Sequence, residues 1–219
     1  MKKTNNITEI VFILDASGSM APLRADTIGG FNTMLGEQKQ NADKAFVSTV
    51  MFADRQKVVH DRRDIADIPE LTAADYAPMG CTALYDAVGS AIKHISNIHK
   101  YARPEDVPQK TLFIITTDGM ENASRTYRAA DVKKLISKKE KKGWEFIFIG
   151  ANIDAAEAAA DIGIREERAV NYHADSKGTS VLFSAVNKAV GNARCCCAEP
   201  MSNDWREELD EDMASRGKN

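Results

Sequence analysis

Short apolar runs alternate along this chain with longer stretches of helical period, and few folds accept that alternation. Val11, Phe12, Ile13 and Leu14 are apolar without a break, as in a strand buried on both faces of a parallel sheet. Strands are predicted over Ile7–Leu14, Phe46–Phe52, Gln56–His60, Thr111–Thr117, Trp144–Ile149 and Ala169–Tyr172. Helices are predicted over Leu23–Gln40, Thr82–His99, Ala129–Lys142, Asp154–Asp161 and Lys177–Arg194. A short turn at Ala53-Asp54 joins the second and third strands, which suits a hairpin and puts the third strand antiparallel at an edge. The fold class that results is α/β: a doubly wound, mostly parallel sheet with helices on both faces.

At 219 residues, with 43% hydrophobic and 28% charged residues, the chain has the size and composition of one large domain with its own core. The 29 basic residues against 32 acidic ones give a net charge of −3, without the basic excess of a nucleic-acid binder. Behind Met1-Lys2-Lys3-Thr4 the apolar run is short and interrupted by Glu9, unlike a signal peptide. No apolar stretch approaches the ~20 residues that span a bilayer, so no membrane partner is expected and the placement reads as cytoplasmic. Cys81 stands alone and Cys195, Cys196 and Cys197 are adjacent, which is no disulfide framework. The division expected is a metal-binding domain over 1–198 and an acidic solvated tail over 199–219, with one helical turn set around Trp205 and Leu209.

The chemistry concentrates after the first strand. Asp15, Ser17 and Ser19 stand at i, i+2 and i+4, so a curling loop can turn all three side chains to one side, and Gly18 eases the curl. A carboxylate and two hydroxyls are hard oxygen donors, suited to Mg²⁺ or Mn²⁺ rather than to zinc or copper. Thr82, in Gly80-Cys81-Thr82, adds a hydroxyl where a loop enters a helix, and Asp118 adds a carboxylate directly after the strand ending at Thr117. Loops at the carboxyl ends of strands converge in a doubly wound sheet. Taken singly, each segment also fits a turn or a helix cap; the three together favour a metal site.

These residues resemble the metal-ion-dependent adhesion site of the von Willebrand factor type A domain family. The resemblance runs over about residues 7–194, through Asp15-x-Ser17-x-Ser19, Thr82 and Asp118 in order. Flanking segments such as Thr27-Ile28-Gly29-Gly30-Phe31-Asn32 and Asp118-Gly119-Met120-Glu121-Asn122 look like those of stand-alone bacterial members. The resemblance implies a six-stranded sheet with one antiparallel edge strand. It also implies direct metal contact from Ser17, Ser19 and Thr82, with Asp15 and Asp118 acting through bound water. A shell so rich in hydroxyls leaves the ion electrophilic, and the partner expected is a protein that offers an Asp or Glu side chain. In the family such coordination draws the first loop inward and shifts the last helix, here Lys177–Arg194.

Two other readings compete. A Mg²⁺-dependent phosphotransferase would use Asp15 as nucleophile, but it needs an acid two residues later, where Ser17 stands. A scaffold with a purely structural metal is the other. No nucleophile elbow, phosphate loop ending in Lys-Ser or Lys-Thr, or His-Glu-x-x-His motif is present, so no catalytic residue is assigned and no enzyme is expected. The lysines of 133–142 read as a solvated helix face, the cysteines at 195–197 as free thiols at a helix end, and His94 and His99 receive no role.

Overall fold

The computed structural model describes residues 6–195 and 201–217. In chain order the main elements are β1 (Thr8–Asp15), α1 (Arg24–Lys39), β2 (Ala45–Phe52), β3 (Gln56–Asp64), α2 (Leu84–Tyr101) and β4 (Lys110–Thr117). There follow α3 (Ala129–Glu140), β5 (Trp144–Gly150), α4 (Ala155–Asp161), β6 (Ala169–Asn171), α5 (Ser176–Cys195) and α6 (Glu207–Arg216). One six-stranded sheet has the order β3-β2-β1-β4-β5-β6, parallel throughout except for β3. The predicted class, strand number and antiparallel edge are all present.

Alternation along β1 explains the two layers. Ile10, Phe12 and Leu14 face the core shared with α1 and α5, while Val11 and Ile13 face the core shared with α2, α3 and α4. All five are buried, because helices cover both faces. The chain leaves β1 for β2 on one side, and β4 pairs on the other. The loops after β1 and β4 therefore part at the switch point and open a crevice between them.

Two expectations need correction. β3 runs to Asp64 rather than stopping at His60. Its second half, Asp61-Arg62-Arg63-Asp64, is charged and hides the strand signal, yet His60 Nδ1 bonds Thr49 Oγ1 and the Arg62 guanidinium lies 4.3 Å over the Phe46 ring. The larger correction concerns residues 201–217, which pack against the domain rather than forming a solvated tail. Trp205 is fully buried, and Met201 and Leu209 join it in the α1/α5 core layer. Arg168 donates to the carbonyls of Met201 and Ser202, so the segment is fastened as well as packed. Met201, Trp205 and Leu209 recur every four residues, a helical period that acidic neighbours mask. Of the cysteine run, Cys195 is an exposed free thiol at the end of α5, and 196–197 lie outside the described residues.

Candidate metal centre

The five residues singled out in the sequence sit on three segments: the ends of β1 and β4 with the loops that follow them, and the loop that leads into α2. Asp15 ends β1, and Asp118 directly follows β4. Thr82 lies two residues before α2, which starts at Leu84 rather than at Thr82 because the loop is held otherwise. Its N–H donates to Asn122 Oδ1 at 2.8 Å, and its carbonyl accepts from Asn122 N at 3.0 Å.

A chain of hydrogen bonds links four of the five. Ser17 N donates to Asp15 Oδ1 at 2.7 Å, Ser17 Oγ meets Ser19 Oγ at 3.1 Å, and Ser19 Oγ donates to Asp118 Oδ1 at 2.6 Å. The first loop is tied to the Thr82 loop through Gly18 N to Gly80 O at 3.0 Å. Gly80 has φ +76°, and a Cβ there would collide with the Asp54 carboxylate, so only glycine suits this turn. The Thr82 hydroxyl makes no hydrogen bond among the described residues, although Thr82 is 4% exposed. It lies toward the loop of Asp118: a Cβ added to Gly119 would come within 3.7 Å of it.

Electrostatically the centre lacks a counterion. Neither Asp15 nor Asp118 makes an ion pair among the described residues, and both are buried. Burial pushes the Asp118 carboxyl above the ordinary carboxylate range; the Ser19 hydrogen bond opposes that rise and the Asp15 charge adds to it. Two buried acids, three hydroxyls and no cation make a donor set that fits a hard divalent ion. No group of three or more His, Cys, Asp or Glu side chains arranged for a metal occurs among the described residues; the candidate set here is two carboxylates and three hydroxyls.

The sequence of the von Willebrand factor type A domain matches residues 9–185. The chain belongs to that family. Among solved structures, it is similar to proximal thread matrix protein 1 from mussel byssus with a zinc-occupied MIDAS motif. Identity there is 21%, coverage is 87% of this chain and 46% of that one, and the TM-score is 0.56. It is also similar to the manganese-loaded TRAP protein of Plasmodium vivax (16% identity, 82% and 73% coverage, TM-score 0.56). A von Willebrand factor type A protein from Catenulispora acidiphila matches with 18% identity, 84% and 42% coverage, and TM-score 0.56. The chain thus spans less than half of the mussel and Catenulispora proteins. No curated protein matches it. Domains of this family are typically non-enzymatic interaction modules, and relatives hold a divalent metal at the adhesion-site motif.

Several supporting residues of this type A domain escaped the sequence reading. Thr117 Oγ1 donates to Asp15 Oδ2 at 2.6 Å, and the fully buried Tyr76 donates its hydroxyl to the Asp15 carbonyl at 2.5 Å. The N-terminus of α2 has no local cap; instead Glu121 accepts from Tyr85 N at 2.9 Å and Ser124 Oγ from Asp86 N at 3.0 Å. Asp86 replies by accepting from the N–H groups of Arg125, Thr126 and Tyr127. Burial alone would raise its carboxyl, but those three bonds outweigh burial and hold it below the usual range. Asn152 and Asp154 are different, since their place after a strand at the metal end of the sheet suits either the rim of the site or a turn with a helix cap: Asn152, at φ +57°, donates to the Asp118 carbonyl at 3.4 Å, while Asp154 caps α4 by accepting from Glu157 N. Thr117, Asp86 and Glu121 fall within segments that resemble the family, but nothing local in the sequence signals their bonds.

Proposed function

We propose that Asp15, Ser17, Ser19, Thr82 and Asp118 hold a Mg²⁺ or Mn²⁺ ion, and that the chain uses this centre to bind a carboxylate of a protein partner without catalysis. One observation carries the reading: two buried acids face three hydroxyls with no cation beside them among the described residues, and among those residues the Thr82 hydroxyl has no hydrogen-bond partner. When bound, the ion supplies positive charge that the hydroxyl-rich shell neutralises only partly, which favours an Asp or Glu oxygen from outside. Thr117, Tyr76 and the Ser17 amide hold Asp15 in place, and Asn122 holds the Thr82 loop.

The phosphotransferase reading is disfavoured by the same bonds. Both Asp15 oxygens are engaged and the residue is 1% exposed, so it is a poor nucleophile toward a phosphate ester. Pull-down with the full chain tests the proposal. A partner should be retained in Mg²⁺ or Mn²⁺, released by EDTA, and lost in Thr82→Ala, whose fold should be unaltered. A partner retained equally well in EDTA would leave only a structural role for the ion. Mg²⁺-dependent phosphate-ester turnover lost in Asp15→Asn would restore the enzyme.

A further inference from the structure

Four large apolar side chains are exposed among the described residues, and two of them flank the candidate metal centre. Met79, 69% exposed, stands three residues before Thr82, and Met120, 74% exposed, stands two residues after Asp118. Single exposed apolar residues are ordinary on a protein surface; a pair on the two loops that frame one centre is not scattered. Ala21 and Pro22, just beyond Ser19, are exposed as well. Each loop that carries a candidate ligand therefore also turns an apolar residue to solvent.

These positions are held rather than left on free loop tips. Met79 N donates to the Ala16 carbonyl at 2.9 Å, which ties it to the residue after Asp15. Met120 lies between Gly119, whose N–H meets Thr117 Oγ1 at 3.3 Å, and the Glu121-Asn122 pair that fastens the loop to α2. The backbone is fixed while the thioether side chains extend into water, an arrangement suited to packing against a partner of varied shape.

We propose that this rim selects a partner whose metal-binding Asp or Glu is flanked by aliphatic or aromatic residues; the inference rests on the carboxylate-binding reading above. Apolar flanks would bury the two methionines and exclude water from the carboxylate contact, which strengthens that contact in the lower dielectric. A strongly acidic segment fits the rim less well. Asp54, exposed on the β2–β3 turn where it accepts from Cys81 N, and Glu121 already place negative charge beside these loops.

The test uses a displayed library of random nonapeptides with a fixed central Glu, selected on the full chain in Mn²⁺. Leu, Ile, Phe or Met should be enriched within two positions of the Glu. A synthetic peptide of that type should bind about tenfold more tightly than one with Gly-Ser flanks. In Met79→Ser/Met120→Ser the preference should vanish, while stabilisation by Mg²⁺ and binding of the Gly-Ser peptide persist. No apolar enrichment, no selected binder, or an undiminished preference in the double variant overturns the rim. An absent Mg²⁺ stabilisation of the wild type overturns the metal centre itself, so the two failures are distinguishable.

Discussion

At the amino ends of β1 and β5 a buried and a half-buried carboxylate, Glu9 and Glu145, meet cations; at the carboxyl ends of β1 and β4 the buried carboxylates meet none among the described residues. Glu9, fully buried, accepts from Arg62 Nε at 2.9 Å and faces His99 Nε2 at 3.2 Å. Glu145 lies 3.3 Å from Lys110 Nζ and 3.5 Å from Arg168. Among the described residues, Asp15 and Asp118 at the other end have only hydroxyl and amide donors. The same strand, β1, carries one acid of each kind. Because a buried charge is costly unless paired, the balanced end reads as structure and the unbalanced end as a place for an ion from outside.

The largest expected effect lies at the balanced end, which the C-terminal segment closes. Trp205→Ala should cost about 4 kcal/mol by opening a cavity in the α1/α5 layer, measured by urea unfolding. A loss below about 1 kcal/mol would mean that the segment is peripheral after all. Next comes Arg62→Met, which should cost about 3 kcal/mol because it leaves Glu9 with His99 alone, whatever the Mg²⁺ concentration.

The unbalanced end should behave in the opposite sense. Asp118→Asn removes a charge that faces Asp15, so the metal-free variant should be at least as stable as metal-free wild type. Mg²⁺ should then stabilise only the wild type, by about 2.7 kcal/mol at a hundred times the dissociation constant. Thermal melts across a Mg²⁺ titration check both statements. A flat titration of wild type, or a metal-free Asp118→Asn that melts well below it, would erase the contrast between the two ends.

Much of this was legible in the residue order. The unbroken Val11–Leu14 run and its spacing to Thr111–Thr117 express two buried parallel strands, and four of the five ligand candidates stand at or just after the ends of those strands, with Thr82 at the entry to α2. The groups that hold the candidates were not legible. Tyr76 reaches Asp15 across 61 positions and Thr117 across 102, and tertiary bonds of that separation leave no local period. His99 was assigned no role for the same reason, since its partner Glu9 is 90 positions away. α6 is longer than the single turn expected around Trp205 and Leu209, because the core residues of this segment, Met201, Trp205 and Leu209, are sparse among acids, and those acids have their own partners in α5.

That last set of bonds gives the smallest expected effect. Arg216 pairs with Asp175, just before α5, and Lys177 Nζ lies 2.6 Å from Asp212 in α6. The Arg216 hydrogen bond holds the Asp175 carboxyl below its ordinary range, and the Lys177 contact does the same for Asp212. A carboxyl lowered by folding stabilises the native state fully above its unfolded pKa, about 3.9, and loses that contribution as pH falls through the lower folded value. The docking of α6 should therefore weaken only below about pH 4, and because Lys177 is largely exposed it should also weaken in high salt. The buried Glu9–Arg62 pair should ignore salt. Trp205 fluorescence in a Trp144→Phe variant reads the docking, and far-UV circular dichroism reads the whole fold. Acid or salt should move the fluorescence first; a single coincident transition would show that α6 is no weaker than the sheet it covers.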